Sequence, residues 1–169
     1  MNTAADHAAT EHAEPTGAAP PPKRGVLFVC NQNAVRSPMA EGLADASARL
    51  HGRRGLKIAS VGLAPGLLDG FSVAAMAEMG LDIADHTPEP ITTVSLADYD
   101  VVIALTSAAN AYLRERYPEL ADRLHYWPVA DPAAGEGNRD QRLAGYRTVR
   151  DSLKSRINAL MAGTAPYSS

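Results

Sequence analysis

Short apolar runs alternate with helical stripes along most of this chain. Val26-Leu27-Phe28-Val29 is a continuous apolar run of strand length, and Asp100-Val101-Val102-Ile103-Ala104-Leu105 is the clearest buried strand in the sequence. Lys57 to Gly62 and Leu124 to Val129 read as two further strands. Between them the spacing becomes helical. Met39, Leu43, Ala46 and Leu50 form one stripe, Val73, Met76 and Met79 a second, and Tyr112 and Leu113 lie on a third. Leu143, Tyr146, Val149, Leu153, Ile157 and Leu160 mark a long final helix. Ser37, Ser72 and Ser107 stand where N-caps are expected, with Pro38 at the first position of the first helix. His51 to Gly55, Gly80 and Tyr117-Pro118 stop the first three helices. Residues 81–98 are loop-like, with one short helix expected from Thr92 to Leu96. Strand and helix in alternation predict one α/β domain of four strands and about five helices: a parallel, doubly wound sheet with helices on both faces.

Composition narrows this picture. With 169 residues, 46% of them hydrophobic, the chain is long enough for one domain with a real core and short for two. Residues 1–24 are set apart. They are rich in Ala and Pro, carry no apolar run, and have Lys and Arg only at Lys23-Arg24, where the fold begins. This stretch is expected to be a disordered tail, residues 25–162 the domain, and residues 163–169 a flexible C-terminus. It has neither the basic start and apolar core of a secretory signal nor an Arg-rich transit character. A net charge of -3 without a long basic block argues against nucleic-acid and membrane partners. The single cysteine excludes an internal disulfide and fits a reducing, cytoplasmic setting, and of the five histidines only His7 and His12, in the polar tail, are spaced as a metal-ligand pair. No metal or other cofactor is expected.

The chemistry lies where the first strand meets the first helix. Cys30 begins a short loop and Arg36 ends it, giving Cys-x5-Arg through Asn31, Gln32, Asn33, Ala34 and Val35. A loop that runs from a strand into a helix N-terminus turns several N–H groups and the positive end of the helix dipole toward one spot. That spot suits a phosphate-like anion. The guanidinium of Arg36 would clasp two of its oxygens, and the same surroundings would favour the thiolate form of Cys30 beneath it. An inert core cysteine is the ordinary alternative for a thiol after an apolar run; Arg at the sixth position and the helix start argue against it.

The run Val26-Leu27-Phe28-Val29-Cys30-x5-Arg36-Ser37-Pro38-Met39-Ala40-Glu41-Gly42 resembles the low-molecular-weight protein tyrosine phosphatases and the arsenate reductases of the same fold. Ser60-Val61-Gly62 and Trp127-Pro128-Val129-Ala130-Asp131-Pro132 are similar to further family segments, so that the likeness spans residues 25–162. It implies the strand order 2-1-3-4 and makes Asp131 the general acid, although Asp-Pro also commonly opens an ordinary turn. It further implies that Asn33 ties the loop into shape, that Ser37 hydrogen-bonds the thiolate as well as capping the helix, and that Ser60 supports Asn33. His86 resembles a family histidine that braces the loop; a lone surface histidine is the other reading, and the one we expect.

The departures bear on substrate. Gln32 replaces a frequent Gly, and Val35 stands where eukaryotic members carry a second Cys. Ala133 and Ala134 follow Asp131-Pro132 where those members carry tyrosines, and Ala64-Pro65-Gly66-Leu67-Leu68 lacks an aromatic residue to stack on a phenol. The expected activity is a cysteine-dependent hydrolysis of phosphate monoesters, on a phosphorylated protein or a small phosphate ester, by a monomer or weak homodimer. Arsenate reduction is the runner-up, because arsenate mimics phosphate and Trp127 to Arg150 resembles that branch. Thr106 occupies the first resolving-thiol position of the thioredoxin-linked reductases, which leaves only a version using an external thiol. A non-catalytic phosphate-binding module is the third alternative.

Overall fold

The computed structural model describes residues 21–164, so the expectations for residues 1–20 and 165–169 lie outside it. Four parallel strands, β1 (Gly25–Cys30), β2 (Lys57–Gly62), β3 (Val101–Ala104) and β4 (Leu124–Tyr126), form one sheet in the order β2-β1-β3-β4. The two central strands, β1 and β3, are buried throughout and apolar, as strands covered on both faces need to be, whereas the edge strands β2 and β4 carry polar residues. Val26 pairs with Ile58 on one side and Val101 on the other, while β4 registers Leu124 against Val102.

Four α-helices among the described residues cover the sheet: α1 (Arg36–Leu50), α2 (Gly70–Ala77), α3 (Ser107–Arg116) and α4 (Arg139–Ala162). The alternation along β1 divides the core. Val26, Phe28 and Cys30 face α1, α2 and α4 in one cluster, and Leu27 and Val29 face Ala109 and Leu113 of α3 in the other. Cys30 therefore carries the inward rhythm of its strand to the carboxyl end of the sheet. All six stripe residues expected on the last helix are buried.

Several local expectations are corrected. Helix α1 begins at Arg36, so Val35 is the N-cap, Ser37 lies inside the first turn with its hydroxyl used elsewhere, and Pro38 is not at the first helical position. Helix α2 is capped by Asp69 rather than Ser72, and α3 by Thr106 rather than Ser107, each accepting from the backbone two or three residues on. Leu50 is 79% exposed at the end of α1, beyond the reach of the sheet. The short helix expected from Thr92 to Leu96 is instead two 3-10 turns, Ile91–Thr93 and Leu96–Asp98, and β4 ends at Tyr126. Trp127 and Val129 nonetheless still donate to Ala104 and Leu105, which holds the segment leading to Asp131 in line.

The entry to the fold is tied down at the amino end of the sheet. Asp100 accepts from the backbone N–H groups of Lys23, Arg24 and Gly25 at 2.6, 2.9 and 2.8 Å, and Arg53 donates to the Pro22 carbonyl.

Candidate active site

The loop between β1 and α1 is held from outside by the segment that follows β2. Leu63, Ala64, Gly66 and Asp69 donate their backbone N–H groups to the carbonyls of Cys30, Asn31, Gln32 and Ala34, at 3.1, 3.0, 2.8 and 3.0 Å. Four carbonyls are thereby turned away from the loop's interior. Among the described residues, the backbone N–H groups of Asn31 to Ser37 have no protein acceptor. A concave run of unpaired amides opening a helix is a built anion cradle. The two segments approach closely because of Gly62: a Cβ there would lie 2.7 Å from the Asn33 nitrogen and 2.7 Å from the Gln32 carbonyl carbon.

A buried polar network fixes the loop from inside. Asn33 adopts φ 54°, a left-handed backbone that asparagine tolerates better than most residues, and its side chain is wholly buried. Its amide donates to Ser37 Oγ at 2.8 Å and Ser60 Oγ at 2.9 Å. Its carbonyl oxygen accepts from Glu89 N–H and from His86 Nε2, both at 2.9 Å. All four hydrogen-bonding positions of one amide are used. With Asn33 donating into it, the Ser37 hydroxyl has its own proton to give, and Cys30 Sγ lies 2.9 Å away. The Val61 carbonyl lies 3.4 Å from the same hydroxyl, and the cap expectation for Ser37 fails because the helix already begins one residue earlier, at Arg36.

Arg36 donates from Nη1 to the Val129 carbonyl at 3.0 Å, while its Nε is buried without a protein acceptor. Asn31 is clamped from the far side, accepting from the Thr106 hydroxyl at 2.7 Å. Asp131 uses one oxygen to accept from Ala133 N–H at 2.9 Å. Cys30, Asn31, Gln32, Ala34, Val35, Arg36 and Asp131 all line one cleft of about 250 Å³.

Residues 25–165 match the family model for the low molecular weight phosphotyrosine protein phosphatases. The chain belongs to this family. Its relatives and structural neighbours are named arsenate reductases, tyrosine phosphatases and arginine phosphatases. A glutaredoxin arsenate reductase from Synechocystis sp. is 34% identical over 137 residues, covering 81% of this chain and 95% of the relative. The low molecular weight protein tyrosine phosphatase of T. tengcongensis superposes with a TM-score of 0.72 at 28% identity, over 83% of this chain and 99% of that one. An arsenate reductase in its phosphate-binding state superposes with a TM-score of 0.68 at 30% identity, over 85% of this chain and 100% of that one. The family and the α/β fold with strand order 2-1-3-4 are thus as the sequence motifs implied, and the family is one of cysteine-based phosphatases and arsenate reductases.

Within this family site, Ser60 and Asn33 meet below the loop, and Ser37 reaches the sulfur. His86 is corrected: it is not a surface residue but is nearly enclosed, with Nδ1 3.5 Å from Glu41 and Nε2 on Asn33. Because the Asn33 oxygen can only accept, Nε2 carries the proton. Asp69 is the residue that sequence reasoning missed. It lines the same cleft, caps α2 and accepts from the Tyr146 hydroxyl at 2.8 Å. An Asp followed by Gly-Phe-Ser at a helix start was the available signal.

Proposed function

We propose that this chain hydrolyses phosphate monoesters through a phosphocysteine formed on Cys30. One observation carries the reading: the thiol, the Arg36 guanidinium and the Asp131 carboxyl open onto one cleft, in a chain with no second cysteine. The Cys30 thiolate attacks phosphorus as the bond to the leaving oxygen breaks, and Asp131 gives that oxygen its proton. Three phosphoryl oxygens meet the loop amides and Arg36, groups already in place before charge develops. A water then passes a proton to Asp131 and attacks phosphorus, releasing phosphate and restoring the thiolate. The substrate is a phosphorylated protein or a small phosphate ester, and a reducing compartment suits the exposed mechanism of a lone thiol.

Arsenate reduction is the second reading, favoured by the 34% identity to a glutaredoxin arsenate reductase. Arsenate would add to Cys30 with loss of water, and an external thiol would attack the sulfur, so that arsenite leaves with the electron pair. A second thiol would clear the mixed disulfide. Thr106 stands at the first internal resolving position and spends its hydroxyl on Asn31 while capping α3. Any reductant must therefore come from outside. The test pairs two assays on one preparation: p-nitrophenyl phosphate hydrolysis, and glutathione-dependent arsenate turnover. Hydrolysis that disappears in Cys30→Ser is the expected result; arsenate turnover without hydrolysis would replace the first reading with the second, and phosphopeptide binding without either would make the chain a binding module.

A further inference from the structure

Two consecutive carboxamides line the cleft. Asn31 and Gln32 follow Cys30 directly, both are exposed, and neither side chain hydrogen-bonds within the anion loop, whose carbonyls are held by backbone donors. Side chains that do nothing for the loop are available to a ligand.

Asn31 is oriented from behind. The Thr106 hydroxyl, buried at the start of α3, accepts from Ala109 N–H at 3.0 Å and gives its own proton to Asn31 Oδ1 at 2.7 Å. With the oxygen taken, Nδ2 is the free end of the amide, and it has no protein acceptor among the described residues. The chain from helix amide through hydroxyl to carbonyl polarises that end and strengthens it as a donor. Gln32 is accommodated rather than clamped. A Cβ on Gly66 would lie 3.0 Å from Gln32 Cβ and 3.0 Å from its Oε1, so the glycine leaves the room that this side chain occupies. The Gln32 carboxamide also has no protein partner among the described residues, and it offers both a donor and an acceptor.

The rest of the cleft narrows what these amides can meet. Asp69 and Asp131 line the same space, so an anionic leaving group would enter against negative charge. No aromatic residue is among the described residues that line it, so a phenol ring finds nothing to stack on. A plain alkyl group would displace water from two carboxamides and return no hydrogen bond. A hydroxyl both donates and accepts, and restores what the water gave. We propose that Asn31, oriented by Thr106, is a specificity-determining residue, and that with Gln32 it makes the cleft select phosphate monoesters of hydroxyl-bearing aliphatic alcohols, of the polyol or sugar kind. The inference deepens the phosphatase reading and rests on it for turnover but not for binding.

The test compares glycerol 3-phosphate with propyl phosphate, which share a carbon skeleton and a charge and differ in their hydroxyls, with phenyl phosphate as the aryl arm. Affinity is read as protection of Cys30 from alkylation, which needs no turnover, and kcat/KM is measured beside it. The native chain should hold glycerol 3-phosphate about ten-fold more tightly than propyl phosphate, and more tightly than phenyl phosphate. Because the two alkyl compounds carry the same charge, their ratio should persist in high salt. Asn31→Ala, at an exposed position, should reduce the ratio to about two-fold or less. Thr106→Val removes the hydroxyl at nearly constant shape and should lower the ratio in the same sense, while Thr106→Ser, which keeps the hydroxyl and the cap, should restore it. A role for Thr106 confined to capping α3 would shift the melting temperature and leave the ratio alone. Equal affinities in the native chain, tighter binding of phenyl phosphate, or a ratio that survives in Asn31→Ala would overturn the proposal. Hydrolysis of p-nitrophenyl phosphate without any hydroxyl preference in binding would sink this inference alone. A binding preference without hydrolysis of any ester would sink the phosphatase reading alone.

Discussion

The two ends of β1 solve the same electrostatic problem in opposite ways. At the amino end, three successive backbone N–H groups, those of Lys23, Arg24 and Gly25, converge on a carboxylate that the chain itself supplies, Asp100. At the carboxyl end, the amides from Asn31 to Ser37 converge with no acceptor of the protein's own, and a buried Arg36 Nε joins them. The first arrangement is a closed latch, the second an open socket. On the reading proposed above, the second ring, beside the chain's only thiol, is where an outside oxyanion takes the place that Asp100 fills in the first.

The cost of the open end is visible in its supports. The latch uses one half-buried side chain, whereas the socket draws on Asn33, Ser37, Ser60 and His86 below and on the Leu63 to Asp69 brace above. Perturbing each end separates the two. The largest effect is expected for Cys30→Ser, which should abolish phosphate-ester turnover while leaving thermal stability near that of the native chain, as activity and melting measured together will report. Arg36→Lys comes next. A point charge cannot reproduce the planar fork, and turnover should fall by about a hundred-fold or more; near-normal kcat/KM would refute the clasp.

Asn33→Ala strikes both activity and folding. It strands buried partners on four sides and places alanine at positive φ, so denaturant unfolding should show a loss of about 2–4 kcal/mol. Asp131→Asn should leave stability unchanged and slow poor leaving groups more than good ones, since only the former need a proton in the transition state. A leaving-group series with equal losses would deny Asp131 the acid role.

The smallest effect lies at the latch. Burial raises the Asp100 carboxyl, but the backbone donors of Gly25, Lys23 and Arg24 outweigh it and hold the pKa below the ordinary value of 3.8. A depressed folded-state pKa contributes stability that is present above the unfolded value and disappears as pH falls through the folded one. Asp100→Asn should therefore cost about 1 kcal/mol at neutral pH and much less below the folded-state pKa, with turnover untouched. Melting curves of both proteins across the acid range check this.

The frame of the fold was legible because burial writes itself into local periodicity: β1, β3 and the stripe of α4 are apolar wherever two layers meet. Cys30 and Arg36 were legible for a similar reason, as one strand, one loop and one helix hold them within seven residues. The failures share a different cause. Ser72 and Ser107 lost the caps to Asp69 and Thr106 because several nearby residues are equally good caps, and backbone geometry decides among them. His86 meets Asn33 across 53 residues of sequence, and Tyr146 meets Asp69 across 77, separations over which no local pattern carries information. Ser37 shows the conflict directly: its type signals a cap, and the folded chain turns its hydroxyl to the sulfur instead.

The account turns on whether the ring of amides around Cys30 holds an external oxyanion above a reactive sulfur. The direct measurement is the rate of Cys30 alkylation by iodoacetamide near pH 7, with and without phosphate or arsenate, in the native chain and in Arg36→Lys. Rapid labelling that either anion suppresses in the native chain, with much weaker protection in the variant, is the predicted result. Slow labelling indifferent to both anions would contradict it.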